Sequence, residues 1–178
     1  MGLVPDRVCG SCTVCCTVGP VATEQLLKLP NTSCPHCVDA GCAIYNSRPN
    51  ECRDSYCGWR YYQELDEAWR PDRNGVLLLT EHDVPSTYNR HAGLKFLLVQ
   101  SDEPIRSARF IGYVCALVRR GVPVTIAVQG PQGHWPVKTF VNDALALAIS
   151  RHDTGEAARV LARLVERLRA GEFEPAVF

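Results

Sequence analysis

Apolar residues follow two different regimes along the chain. After about residue 76 they recur with spacings that strands and helices use. Val76 to Thr80 and Leu94 to Gln100 are short apolar runs bounded by Gly75 and Gly93, as buried strands are. Ser107 to Arg120 carries Ile111, Val114, Cys115 and Val118 at helical core spacing. Arg119 and Arg120 fall in its last turn, and Gly121 and Pro123 follow as stop signals. Pro123 to Val128 and Pro136 to Val141 flank Gly130-Pro131-Gln132-Gly133-His134, a pattern that predicts a hairpin with a longer loop. Asn142 or Asp143 can cap a helix running to about Arg151, and Asp153 with Glu156 offers a capping-box-like start for another. In that last helix Ala157, Leu161, Leu164, Val165 and Leu168 form an apolar stripe that Gly171 ends. The order ββαββαα predicts an α+β fold in which helices pack on a small antiparallel or mixed sheet.

Upstream the pattern weakens. Tyr61 to Trp69 has aromatic and leucine positions suited to one short helix, which Pro71 and the turn Asp72-Arg73-Asn74-Gly75 would end. Before it, Met1 to Trp59 is rich in Cys, Pro, Gly, Thr and Asn, and only Val21 to Leu29 suggests a short helix, closed by Pro30. The expected organisation is a cysteine-rich module at 1–60, a short helix and linker at 61–75, and an α+β domain at 76–178. The first segment has too little apolar periodicity to hold itself together by burial. A bound structural zinc, contributing about 10–16 kcal/mol to a small module, would supply what the missing core does not.

Composition narrows the function classes. Lys plus Arg equals Asp plus Glu at 19 each, so no global basic excess points to nucleic acid or an acidic membrane surface. No apolar run approaches the roughly 20 residues of a membrane span, and the first ten residues lack a signal-peptide core. A cytoplasmic location is the expectation. Gly2 does not open a myristoylation motif, because Asp6 stands where Ser or Thr is needed.

Cysteine is the exception to this ordinary composition. Nine of the 10 cysteines lie at or before Cys57, where even spreading would place about three. They form two groups, Cys9-Gly-Ser-Cys12-Thr-Val-Cys15-Cys16 and Cys34-Pro-His-Cys37 with Cys42, Cys52 and Cys57. A CxxC step turns the chain tightly enough to aim both sulfurs at one ion while leaving backbone N–H groups free to bond the thiolates. Gly10, Gly41 and Gly58 sit where the backbone would curl near sulfur. With no export signal, metal ligation explains the cluster better than disulfides. One tetrahedral zinc or one four-iron cluster uses four thiolates, so nine are enough for one centre or two. Cys15 and Cys16, as neighbours, would find it awkward to share one tetrahedral ion; either they serve two nearby centres or only one of them ligates. Arg48, Arg53 and Arg60 are candidate donors to the thiolates, or simply solvated surface.

The run Cys9 to Cys16, followed by Cys42-Ala-Ile-Tyr-Asn-Ser-Arg-Pro-Asn-Glu-Cys52-Arg, resembles the CxxCxxCC proteins, a zinc- or iron-chelating domain widespread in bacteria. The resemblance covers about residues 9 to 60. It implies metal ligation by Cys12, Cys15, Cys16, Cys42 and Cys52, with Cys9 heading the motif. That family has one further cysteine before the C-x-IY step, where this chain offers both Cys34 and Cys37; Cys57 matches a position held in part of the family. Most members have no assigned reaction. A few resemble flagellin lysine N-methylases, enzymes thought to use an iron-sulfur cluster.

Zinc is the favoured metal, with an iron-sulfur cluster as the alternative, because the spacing from CxxCxxC to Cys34-Pro35 is not the ferredoxin one. His36 could replace a thiolate, but more often such a residue is exposed in its turn. His82, His91, His134 and His152 show no HxxxH or HExxH spacing. Cys115 reads as a buried structural thiol, and Glu81, His82 and Asp83 as a solvated loop. Arg159, Arg163, Arg167 and Arg169 alternate with Glu156, Glu166 and Glu172 as an exposed helix face. No GxGxxG, Walker or GxSxG motif supports nucleotide binding or a hydrolase. Three readings follow: a zinc-organised metal-binding protein, an iron-sulfur redox or methyl-transfer protein, and an interaction module whose metal-organised surface contacts a protein. Whether the chain is an enzyme is left open.

Overall fold

The structure is a computed structural model and describes residues 2–38, 41–88 and 92–178. Its first third is made of short pieces. Helix α1 (Val14–Val18) leads to a hairpin of β1 (Val21–Ala22) and β2 (Leu27–Lys28), then to a second hairpin of β3 (Cys37–Val38) and β4 (Gly41–Cys42). Three helical turns follow, α2 (Asn50–Asp54), α3 (Gly58–Tyr61) and α4 (Pro71–Asn74). The remainder is β5 (Val76–Glu81), β6 (Gly93–Leu98), α5 (Ala108–Arg119), β7 (Val124–Val128), β8 (Val137–Phe140), α6 (Asn142–Ser150) and α7 (Thr154–Arg169). This is the ββαββαα order of an α+β fold.

The four long strands form one mixed sheet in the order β5-β6-β7-β8. β5 and β7 run antiparallel to β6 and β8 respectively, while β6 and β7 are parallel and therefore need the α5 crossover between them. All five residues of β7 are buried. That is why it reads as an unbroken apolar run rather than an alternating one. Phe96 on β6 meets Phe110 and Tyr113 of α5 edge-on, at 5.4 and 6.1 Å between ring centres. The whole expected stripe of α7, Ala157, Leu161, Leu164, Val165 and Leu168, is buried. Cys115 is buried on α5, as its apolar neighbours suggested.

Several local expectations are corrected. Val21 to Leu29 is a hairpin, not a helix. Thr23 makes the difference: its Oγ1 accepts from Leu26 N at 2.9 Å and its N–H donates to Leu26 O at 3.0 Å, closing a turn that pairs Val21 with Lys28. Tyr61 to Trp69 is likewise not one helix, because Asp66 accepts from Ala68 N at 3.0 Å and starts a separate 3₁₀ turn at Glu67–Trp69. Pro71 opens α4 at the first helical position, where its missing N–H costs nothing, and Gly75 closes that helix. Asn142 does not cap α6. Its buried amide instead accepts from Val124 N and donates to Val122 O, both at 2.8 Å, fastening α6 to the start of β7.

At α7 the capping box is half formed. Asp153 Oδ1 accepts from Glu156 N at 2.8 Å, while the Glu156 carboxylate turns to Arg159 and Arg163. Glu81 belongs to strand β5 rather than to a solvated loop. It is 3% exposed and paired with Lys138 of β8 at 3.0 Å, and Asp83 joins the same ammonium at 3.1 Å. The sheet and the residues before it share one apolar cluster, since Val18, Cys57, Trp59, Leu65 and Trp69 pack into the same core as Val76, Leu78 and Phe96. Among the described residues no helix is long and apolar enough to cross a membrane.

The Asn142 bridge is testable. Asn142→Ala leaves the Val124 N–H and the Val122 carbonyl without their partner and should cost about 1–3 kcal/mol. In urea unfolding followed by circular dichroism, the midpoint should fall with little change in slope.

Candidate metal centre

All 10 cysteines are free, with no disulfide among them. Cys9 and Cys12 are brought together by a tight turn in which Cys12 N donates to Cys9 O at 2.9 Å and Gly10 takes a φ of +53°. Cys15 and Cys16 follow on α1. Successive side chains on a helix point about 100° apart, so these neighbours face different surroundings. The thiols acting on Cys15 are, in order of strength, Cys57, Cys12, Cys9 and Cys16. Those acting on Cys16 are Cys37, Cys42 and Cys34.

The backbone explains the second neighbourhood. Cys34 N donates to Cys16 O at 3.0 Å, and Cys37 N to Cys34 O at 2.9 Å. Cys37 and Cys42 then stand opposite each other in the β3-β4 pair. Cys52 on α2 feels Cys34 and Cys42. The first neighbourhood is closed by α3. Cys57 precedes it, Arg60 N donates to Cys57 O at 2.9 Å, and the Arg60 guanidinium reaches back to Cys9 Sγ at 3.8 Å. Arg7 secures that return by donating to the carbonyls of Trp59, Tyr62 and Gln63.

Burial raises these thiols. Cys57 is pushed up to about 11 and Cys16 to about 12, chiefly by desolvation and then by neighbouring thiols, with backbone hydrogen bonds opposing at Cys57. Cys15 is shifted further in the same direction by the same cause, although it retains exposed surface. Thiols held neutral in this way are not activated nucleophiles, and a metal would bind them only by displacing their protons.

Two buried cations accompany the thiols. Arg60 is 7% exposed and Lys28 3%. Among the described residues neither has a carboxylate partner. Lys28 donates to the carbonyls of Thr17 and Gly19 at the end of α1, shortly after Cys16, and to that of Leu29. Burial pushes its pKa down, and the electrostatic effects of Cys34, Cys16, Cys52 and Cys37 oppose that. A buried cation is costly unless an anion is near, and the neighbouring thiols would become such anions if a metal displaced their protons. Lys28 was not legible as a site residue in the sequence; the only signal was a lysine set among Leu26, Leu27 and Leu29.

Of the other expected donors, Arg48 stacks on Tyr45 at 3.9 Å and bonds the Tyr56 hydroxyl at 2.8 Å, while Arg53 bonds the carbonyls of Arg48 and Asn46. His36 is half-buried, His82 and His152 are exposed, the His134 ring bonds Gln132 O at 2.9 Å, and His91 lies outside the described residues. Among the described residues no three His, Cys, Asp or Glu donors converge closely enough to hold one ion as they stand. The thiols are gathered into two neighbourhoods without being closed on a point. Their chemistry fits a soft, thiolate-preferring metal, and Cys9, Cys12, Cys15, Cys16, Cys34, Cys37, Cys42, Cys52 and Cys57 are the residues that would hold it. Compared with family models, curated proteins and solved structures, the chain matches none.

The two neighbourhoods touch at Gly41. Its φ is +128°, and a Cβ there would sit 2.9 Å from the Gly10 carbonyl oxygen. Gly41→Ala should therefore lower stability by about 1–3 kcal/mol, read from the urea midpoint. A second measurement checks the thiol state: denatured, chelator-treated protein purified without reductant should return 10 titratable thiols with Ellman's reagent.

Proposed function

We propose that this chain is a metal-binding protein in which zinc, held by thiolates between Cys9 and Cys57, organises the N-terminal segment. The observation that carries the reading is the pair of buried cations, Arg60 and Lys28, set among thiols with no carboxylate to balance them. A tetrathiolate zinc carries a net charge of about minus two, and such cations lower the cost of burying it. The resemblance of Cys9 to Cys16 and Cys42 to Cys52 to the CxxCxxCC proteins points the same way. Donor sets made only of cysteine leave no open coordination position, so the role is structural rather than hydrolytic.

The test is anaerobic purification of the full chain followed by metal, acid-labile sulfide and absorbance measurements. Stoichiometric zinc in a colourless protein is expected. A brown protein with labile sulfide would replace this reading by an iron-sulfur one, with redox or methyl-transfer chemistry as its natural role. Metal-free protein containing disulfides would overturn both. Chelation of the zinc should also make the chain before residue 57 protease-sensitive while the sheet and α7 stay resistant, observed as a stable C-terminal fragment in limited proteolysis.

A further inference from the structure

Nine clustered thiols serve one shared centre or two separate ones, and the backbone favours separation. Cys15 and Cys16 are successive residues of α1 facing different partners. On one side, the Cys9-Cys12 turn is tied to Cys57 through Arg60, which bonds Cys57 O with its N–H and Cys9 Sγ with its guanidinium. On the other, Cys16 O receives Cys34 N, Cys34 O receives Cys37 N, and Cys37 pairs with Cys42. The buried cations repeat the division. Arg60 contacts Cys9, while Lys28 binds the Thr17 and Gly19 carbonyls that follow Cys16.

We propose that the chain builds two four-thiolate metal centres whose ligands divide at the Cys15-Cys16 step of α1. The first takes Cys9, Cys12, Cys15 and Cys57 with Arg60 beside it. The second takes four of Cys16, Cys34, Cys37, Cys42 and Cys52 with Lys28 beside it. The proposal rests on the metal-binding reading above and adds the number of ions and the partition of ligands. The two centres share no ligand, so one can empty while the other stays filled. Arg60 and Lys28 are positioning and charge-balancing residues, not ligands.

The decisive experiment uses the wild-type, zinc-loaded chain. Zinc is withdrawn stepwise with a chelator, released thiols are pulse-labelled with N-ethylmaleimide, and labelled sites are read by tandem mass spectrometry alongside the zinc remaining. Two zinc ions per chain are expected, with labels appearing in two sets that place Cys15 and Cys16 apart. Cys12→Ser, and separately Cys34→Ser combined with Cys37→Ser, should each retain half the wild-type zinc, and the three substitutions together none; where a variant fails to fold, the wild-type labelling decides. A single zinc per chain, or labelling of all nine thiols together, overturns the partition and leaves the metal-binding reading standing. A wild-type chain that binds no zinc or iron overturns that reading as well.

Discussion

The contact between Cys57-Gly58-Trp59 and strand β5 is what joins the cysteine-rich segment to the rest of the molecule. A Cβ on Gly58 would lie 2.6 Å from the Leu78 side chain, so the backbone of α3 rests directly on the sheet's apolar residues. Cys57 and Trp59 are buried in the same core as Val76 and Phe96. From that anchor the chain reaches outward in both directions along the cysteine groups: Arg60 N–H holds Cys57 and its guanidinium holds Cys9, while Arg7 and Val4 bond the same helical turn. A segment with little core of its own thus borrows order from the sheet at one end.

Away from that anchor, order has to come from charge and backbone bonds. α1 and the two small hairpins bury few apolar side chains, with Val18 and Leu26 the main ones. Lys28 joins the Thr17 and Gly19 carbonyls at the end of α1 to that of Leu29, and Cys34 N bonds Cys16 O. Such polar connections contribute modestly to stability, about 0.5–1.5 kcal/mol for a typical hydrogen bond. A metal that gathers thiols from α1, both cysteine turns and α2 would act where apolar burial is thinnest. Charge and topology then support each other, because the cations that burial would otherwise penalise lie beside the groups a metal turns into anions.

How far the fold was legible follows from how much of each element's conformation is decided nearby. α5 and α7 carry their apolar stripes within one helix, and the two sheet hairpins carry theirs within one run, so strand and helix order could be read directly. The pieces between residues 21 and 75 could not. There single side chains decided the outcome: Thr23 closed a hairpin, Asp66 started a 3₁₀ turn, and Pro71 opened a helix it was expected to end. Glu81 shows the same limit at longer range, since a strand-end carboxylate looks like a loop group until Lys138 arrives from β8, 57 residues later.

The sequence by itself determined the α+β order, the apolar face of α7, the burial of Cys115 and the two groups of cysteines, because each is a spacing along one stretch of chain. The tertiary structure alone decided which thiols share surroundings. Cys57 is nearer in sequence to Cys52 than to Cys9, yet the return of α3 places it with Cys9 and Cys15, while Cys16 leaves its neighbour for Cys34, Cys37 and Cys42. The helical turn between adjacent residues, and the anchoring of α3 on Leu78, are the physical reasons for that division. Lys28 and Arg60 took their roles in the same way, from where folding buried them rather than from any motif.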